Sequence, residues 1–255
     1  MSTAEKVQHS RTYDVAITLG LIAYGVVHLL VAWIALQLAL GKSSQEASQQ
    51  GALQELAGQP FGGVLLWIVA IGLFALVVWR VLELGWGHLD LRKKLSSIGR
   101  AVVYLVLGVS AVKISAGSGS SSTGQQQSGS GRLMAHGGGR ALVVAIGVAI
   151  VAIGCYQVYK AITKKFTEDL VGGVSHTTVV LGRVGYAAKG VAFVVVGVLF
   201  GWAAIVYDPQ KAGGLDTALH TIKGQPFGSV LLTVLAVGIA AFGAYCFSWS
   251  RNARH

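Results

Sequence analysis

The sequence is poor in charged residues, in proline and in cysteine, and the scarcity of charge argues against a soluble protein. Only 12% of its 255 residues are charged and 53% are hydrophobic, whereas about 25% of the residues in a typical soluble domain carry a charge. There are three prolines and two cysteines. Cys155 and Cys246 lie in apolar stretches without metal-ligand spacing, so we interpret both as small buried hydrophobic residues.

The motifs of common enzymes are absent as well. We find no nucleophile–base pair, no cluster of metal ligands and no nucleotide-binding motif. The glycine-rich segment 115–139 lacks the Lys-Ser/Thr pair of a phosphate-binding loop. We therefore expect neither enzymatic activity nor a bound cofactor or metal.

Long apolar stretches are abundant. Several of them reach the roughly 17–25 residues that a helix needs to cross a bilayer. They predict six helices, at about residues 15–40, 61–82, 98–116, 141–159, 184–206 and 227–249. The fold class that follows is an all-α membrane protein with six transmembrane helices.

A five-residue motif occurs twice and shows that the chain is internally repeated. Gly58-Gln59-Pro60-Phe61-Gly62 returns as Gly224-Gln225-Pro226-Phe227-Gly228, each time just before an apolar stretch. Matching residues in the helices indicate a third copy in the middle, where residues 135–139 replace the motif. Each repeat holds two helices, so all three enter the membrane from the same side and are parallel. The sequence predicts a pseudo-threefold bundle, with a tail at 1–14 and repeats at 15–90, 91–169 and 170–255.

Basic residues indicate the orientation. Most of the 20 Lys and Arg lie in the tails and in the connections between repeats, as cytoplasmic segments do. Both termini are therefore predicted to be cytoplasmic. The same distribution argues against nucleic acid as a partner, despite a net charge of +10. Anionic lipids are expected to bind at Arg92, Lys93, Lys94, Lys160, Lys164 and Lys165.

The hairpins within the repeats are predicted to differ. Ser43 and Glu46 fit a capping box, so a short helix should follow and end near Gly58, and Asp216 is expected to cap its counterpart. The middle hairpin consists mainly of Gly, Ser and Gln, without large apolar side chains at 118–131. This segment is predicted to bury nothing and to be flexible.

The repeated motif is interpreted as the turn back into the membrane. Its prolines suit the first turn of a helix, where a missing N–H costs no hydrogen bond, and its phenylalanines are expected at the lipid boundary. This structural explanation is complete, and a functional signature is the alternative. The motif residues singled out are Gln59, Pro60, Phe61, Gln225, Pro226 and Phe227.

Ionisable residues within the predicted spans are the candidates for function, because burying them is costly. Tyr24, Arg100 and Lys189 occupy equivalent positions in the three repeats and are expected near the cytoplasmic interface. They either snorkel to that interface or form a polar ring at the mouth of a pore.

His28 is expected about one helical turn deeper than Tyr24. Its equivalents in the other repeats are Tyr104 and Phe193, so symmetry builds no histidine cluster. We expect a packed, neutral imidazole that hydrogen-bonds to a neighbouring helix. Proton transfer is the alternative.

Further patterns predict how the helices pack. Arg80 and Glu83 have the spacing of an ion pair on one helix face. Small residues at four-residue spacing favour close helix contacts, at Ala141, Ala145 and Ala149, at Gly197 and Gly201, and at Ala236, Ala240 and Ala244. An aromatic belt at the cytoplasmic face is predicted from Trp79, Trp86, Tyr156, Tyr159, Tyr245 and Trp249.

The chain resembles a bacterial family known as domain of unknown function 1206. The resemblance covers about residues 15–250, and the residues that carry it are Gly20–Gly25, Gln59–Gly62, Gly99-Arg100, Gly154–Ala161, Lys189-Gly190 and Gln225–Gly228. It implies three tandem two-helix membrane repeats and a bacterial inner (plasma) membrane, and it transfers no catalytic role. The middle hairpin departs from the family pattern.

Three classes of function remain open. We favour a structural or accessory membrane protein that binds lipids or another membrane protein. A small channel or transporter that uses the pseudo-threefold axis is the alternative, although we find no polar stripe across the whole membrane. A redox or enzymatic role is the third class.

Overall fold

The computed structural model describes residues 11–42, 45–86, 91–119, 121–170 and 174–252. Over these ranges three groups of helices follow one another, each in the order long, short, long. Their bounds are α1 Arg11–Ala39, α2 Gln49–Ala57, α3 Gly62–Trp86, α4 Leu91–Ser115, α5 Ser122–Met134, α6 Gly139–Thr163, α7 His176–Val206, α8 Gly214–Lys223 and α9 Gly228–Arg251. Two short 3-10 turns cover Lys165–Asp169 and Pro209–Lys211.

The six long helices are long and apolar enough to cross a membrane, as predicted. Two of them extend beyond the apolar stretch, since α4 begins at Leu91 and α7 at His176. A helix can begin before its apolar stretch, because its backbone hydrogen bonds form in a polar segment as well, provided that a side chain caps the first turn. At α7 the Ser175 side chain accepts the N–H of Thr178 and provides such a cap.

The long helices form a ring in which consecutive repeats pack on each other. α3 packs on α4, α6 on α7 and α9 on α1. Within repeats, α1 packs on α3 and α7 packs on α9. This is the cyclic order of the predicted pseudo-threefold bundle.

The ring is open in repeat 2. α4 and α6 do not pack along their lengths in the described part of the chain, and we refer to the opening between them as the seam. These two helices are also the most exposed, with 28% of the α4 span and 17% of the α6 span buried inside the protein. Repeat 2 therefore contributes two helices that are held by other repeats rather than by each other.

Glycines allow the close contact between α6 and α7. A Cβ added at Gly147 would lie 2.7 Å from the Gly197 carbonyl oxygen, and one added at Gly154 would lie 2.7 Å from that of Gly190. Any side chain at these positions would push the helices apart. The predicted row of small residues on α6 points elsewhere and is exposed: Ala141, Ala145 and Ala149.

The short helices cover one end of the bundle, the hairpin end, and the opposite end is referred to as the terminal end. The first and second hairpins meet at Glu46, whose carboxylate accepts hydrogen bonds from Ser121 Oγ (2.6 Å), from Ser122 Oγ and from the Thr123 backbone N–H (3.1 Å). Burial raises the pKa of Glu46, but the hydrogen bonds from Ser121, Ser122, Ser48 and Thr123 outweigh it and lower the pKa below its ordinary value.

The third hairpin closes the set. Asp216 Oδ1 accepts the backbone N–H of Ala47 at 2.7 Å, which joins the third hairpin to the first. Gln127 Nε2 donates to the Gln210 carbonyl oxygen at 2.9 Å, which joins the second to the third. The three hairpins are therefore linked in a ring at the hairpin end, although the long helices of repeat 2 are not.

The predicted caps of the short helices are wrong. α2 is capped by Ser48, whose side chain accepts the Gly51 N–H at 3.0 Å, and Ser43 lies outside the described residues. α8 has no side-chain cap. The physical reason is that the carboxylates of Glu46 and Asp216 are already engaged by neighbouring hairpins.

The prediction that residues 118–131 bury nothing is also wrong. α5 occupies most of this segment, Ser121 caps it, and Ser130 and Met134 are buried. Gly and Ser favour a helix weakly, so contacts with the other hairpins have to stabilise this one. One of them is the close approach of Gly131 to Pro209.

Candidate functional site: a cationic cluster on the bundle axis

Two of the predicted polar residues meet in the centre of the bundle. Lys189 Nζ on α7 lies 3.3 Å from the hydroxyl oxygen of Tyr24 on α1. The same ammonium group lies 3.8 Å from the centroid of the Phe242 ring on α9 and 5.4 Å from that of Tyr24. Packing of α9 against both α1 and α7 brings these side chains together.

The Lys189 charge has no anionic partner in the part of the chain that the structure describes, where no carboxylate lies within ion-pair distance of it. Aromatic faces and a phenol oxygen stabilise the cation instead. Arg100 and Lys160 are close enough to act electrostatically on the same group. Arg100 and Lys160 therefore lie toward the same end of the bundle as Lys189.

Aromatic rings position the two flanking cations. The Arg100 guanidinium lies 5.7 Å from the Trp249 ring centroid, and the Lys160 ammonium lies 5.2 Å from that of Tyr186. Lys160 is buried, so it faces the axis rather than the surface. Of the other residues predicted to meet anionic lipid, Lys94, Lys164 and Lys165 are exposed, and the side chains of Arg92 and Lys93 lie outside the described set.

His28 lies beside this cluster, on the side of the hairpin end. Its Nδ1 is 2.9 Å from the Tyr24 carbonyl oxygen and its Nε2 is 3.4 Å from Gln49 Nε2. Both contacts are satisfied by a neutral ring that donates through Nδ1–H and accepts the Gln49 amide proton at Nε2. The predicted hydrogen bond to another helix is present, with the short helix α2 as the partner.

Aromatic side chains fill the axis around these polar groups. Tyr24 packs edge-on against Tyr104 at a centroid distance of 5.1 Å and against Phe242 at 6.1 Å, and His28 lies 4.8 Å from Phe242. Sequence reasoning missed Phe242 and Gln49, because nothing in their own helices marks the rotation that turns them inward. The repeat alignment did point to Tyr104, as the equivalent of His28.

The positions equivalent to His28 differ in one informative way. His28 and Tyr104 are 3% and 2% exposed, but Phe193 is 36% exposed. Phe193 shares a face of α7 with Lys189 and with the buried Phe200, and at 3.6 residues per turn this face lies opposite the exposed Trp202. The exposure of Phe193 is therefore on the inner side of α7, where the missing α4–α6 contact leaves the ring open.

The re-entry motif has an unusual backbone. Phe61 and Phe227 adopt left-handed conformations, with φ of 63° and 60°, and Gly138 at the equivalent position has φ 81°. Both rings are 83% exposed, which is consistent with a lipid-boundary position but gives them no burial within the protein. The glycines that follow Phe61 and Phe227 have no room for a Cβ, which would overlap backbone oxygens of the preceding short helix.

Other predicted features are partly confirmed. Arg80 and Glu83 form an ion pair at 2.6 Å, and Ser97 Oγ on α4 also donates to Glu83, at 2.9 Å. Cys246 is buried as predicted, but Cys155 is exposed.

The predicted aromatic belt is mostly core. Trp79, Tyr245 and Trp249 are buried and pack on each other near the terminal end. Tyr156 and Tyr159 on α6 are exposed, and the side chain of Trp86 lies outside the described set. The prediction of a belt was wrong for the three buried residues because aromatic side chains at the same depth can face either the lipid or the core. Which way they face depends on the rotation of each helix about its axis.

Comparison with known proteins places the chain in a family without an established activity. The chain is 28% identical over 239 residues, which are 89% of this chain and 86% of the relative, to the uncharacterized protein YxxB of Bacillus subtilis (strain 168). No solved structure matches it. The model of the Domain of Unknown Function (DUF1206) matches three times, at residues 19–83, 95–164 and 184–253. Because these matches cover most of the chain as three successive repeats, the protein belongs to the DUF1206 family.

Proposed function

We propose that this protein is an accessory component of the bacterial plasma membrane that holds another membrane component, a lipid or a protein, in the seam of repeat 2. The observation that carries the proposal is the opening between α4 and α6 in an otherwise continuous ring. Repeats 1 and 3 use the equivalent surfaces to pack their own two helices. The surface between the two long helices is covered in repeats 1 and 3 and uncovered in repeat 2, so in repeat 2 it is available to a partner outside the chain.

The filling of the axis favours this function over a channel. Tyr24, Tyr104 and Phe242 pack around the centre of the bundle, and Gln49 of α2 contacts His28 on the side of the hairpin end. A proton relay along the axis is interrupted as well, because His28 donates to a backbone carbonyl oxygen rather than to the Tyr24 hydroxyl. The variant His28→Gln tests the alternative of a channel or transporter. If the parent shows a pH-dependent flux in liposomes and this variant does not, transport is favoured.

The proposed orientation places both termini in the cytoplasm, following the distribution of Lys and Arg. The terminal end, with Lys189, Arg100 and Lys160, then lies at the cytoplasmic leaflet. Ser128 is exposed on α5 at the opposite end. In a Cys155→Ser background, a Ser128→Cys variant should react with an impermeant thiol reagent added to intact cells.

The proposed accessory function is tested by identifying the lipids and proteins that stay bound to the protein during purification. The protein would be extracted from its native membrane with a mild detergent, and all bound lipids and proteins would be identified by mass spectrometry. Phe193→Gln alters the inner face of α7 at the seam, and Val198→Gln is a matched control because Val198 is an exposed apolar residue on the opposite side of the same helix.

A seam ligand should be retained by the parent and by Val198→Gln, and depleted in Phe193→Gln. Equal retention by all three proteins would contradict the proposal, because the ligand would then bind somewhere other than the seam.

A further inference from the structure

We propose that the seam holds one acidic phospholipid, with its phosphate bound by Lys189 and an acyl chain against Phe193. This inference rests on the proposed accessory function and specifies the partner as a lipid with a net negative headgroup. It joins two features on the inner side of α7: Lys189, with no carboxylate within ion-pair distance in the described part of the chain, and Phe193, whose ring is 36% exposed.

The charge at the centre of the site calls for an anion. Lys189 contacts the Tyr24 hydroxyl and two aromatic rings, and these neutral groups compensate a cation in an apolar bundle only in part. Lys160 lies toward the same group of rings, because its ammonium group contacts Tyr186, and Tyr186 packs on Phe242 at a centroid distance of 5.3 Å. Basic pockets between transmembrane helices at the cytoplasmic leaflet are a known arrangement for acidic lipid headgroups.

The site can be reached from the membrane. Lys189 is half-buried, and Phe193 lies one turn further along α7 on the same inner face, about 6 Å deeper at 1.5 Å per residue. Phe193 is exposed there although its equivalents His28 and Tyr104 are buried. Both residues therefore lie on the inner face of α7 that the missing α4–α6 contact leaves uncovered, with the charged residue nearer the terminal end.

The depth of the cluster suits a phospholipid phosphate. Lys160 lies one turn before the end of α6 at Thr163, and its ammonium group contacts the ring of Tyr186. Lys189 is three residues beyond Tyr186, which is about 4.5 Å deeper along α7. The cations thus span the region where a headgroup meets its acyl chains, and the apolar walls of α4 and α6 continue from there toward the hairpin end.

Native mass spectrometry of the whole protein, delipidated in detergent and then titrated with lipid, tests the inference. Phosphatidylglycerol and phosphatidylcholine with identical acyl chains separate headgroup charge from acyl contact. The variants are Lys189→Gln, Lys189→Arg, which keeps the charge, and Arg183→Gln, a matched control that removes one exposed basic residue of the same helix. Thermal unfolding of each variant reports whether it is folded.

We expect one phosphatidylglycerol to bind the parent more tightly than phosphatidylcholine. Lys189→Gln should weaken it about ten- to a hundredfold, as expected for one lost charge-assisted hydrogen bond, whereas Arg183→Gln should leave it unchanged and Lys189→Arg should largely restore it. Inorganic phosphate should not displace the lipid, because the acyl contact is part of the site.

Three results would overturn the inference: equal binding of both lipids, unchanged phosphatidylglycerol binding in a folded Lys189→Gln variant, or displacement by inorganic phosphate. None of these three results contradicts the proposed accessory function. If Phe193→Gln still loses a protein from native membranes while both lipids bind alike, the accessory function stands and the lipid site does not.

Discussion

The contact between α6 and α7 yields the sharpest quantitative prediction, at Gly197. A Cβ at this position would lie 2.6 Å from the Gly147 carbonyl oxygen and 2.7 Å from the Val151 backbone nitrogen. These are backbone atoms of the facing helix, so the clash cannot be relieved by turning a side chain. Gly197→Ala should therefore separate the two helices, and overpacking of this kind costs about 1–3 kcal/mol.

The same helix offers a matched control. Gly201 lies one turn further along α7, and a Cβ there would meet nothing within 4 Å. Replacing an unconstrained helical glycine by alanine stabilises a helix by roughly 0.5–1 kcal/mol. The two substitutions are chemically identical, and they should shift stability in opposite directions.

The assay is thermal unfolding of the purified protein in a mild detergent, followed by tryptophan fluorescence. Because both substitutions gain the same helix propensity, the two variants differ by the overpacking cost of about 1–3 kcal/mol. In a chain of this length each kcal/mol moves Tm by about 2–4 °C. Gly197→Ala should thus melt several degrees below Gly201→Ala, on either side of the parent. Equal melting temperatures for the two variants would refute the proposed close contact of α6 and α7.

A double substitution adds an independent check. Gly147 and Gly197 face each other, because a Cβ on either would meet the carbonyl oxygen of the other. Once Gly197→Ala has pushed the helices apart, Gly147→Ala should cost less than it does alone. Additive losses would mean that the two glycines do not share one contact.

Three further predictions concern the hairpin end and the re-entry motif. The pKa of Glu46 is lowered in the folded state, so its carboxylate stabilises the fold fully above pH 4.5, the ordinary pKa, and this stabilisation is lost as pH falls through the folded-state pKa. When Tm is measured at decreasing pH from pH 7, the parent should lose stability below about pH 4.5, and Glu46→Gln should lose less. Deleting residues 118–131 should lower Tm in detergent, because α5 and its links to both other hairpins are lost, and an unchanged Tm would show that these links contribute nothing. Phe61→Ala and Phe227→Ala should shift stability in detergent by less than about 0.5 kcal/mol, because both rings are exposed. Phe61→Gly and Phe227→Gly should be more stable than the alanine variants, because glycine adopts the left-handed backbone without strain. A large loss of stability in the alanine variants would show that the rings pack on the protein.

The amino-acid sequence by itself determined the architecture. Scarce charge and long apolar stretches predict six spanning helices, because a bilayer leaves few other ways to satisfy a backbone. The recurrence of the motif at Gly58–Gly62 and Gly224–Gly228 predicts repeats, and an even number of helices per repeat makes them parallel. Even the left-handed turn at Phe61 and Phe227 has its counterpart at Gly138, where the motif itself is gone.

Only the tertiary structure decided which residues meet. The open seam, the inward position of Lys160 and the contact of Lys189 with Phe242 depend on how each helix is rotated about its axis. In an apolar chain, lipid-facing and core-facing side chains have the same composition, so hydropathy does not encode that rotation. The helix at 122–134 was likewise hidden, because its Gly and Ser residues favour a helix only when capped by Ser121 and held by Glu46 from a hairpin distant in sequence.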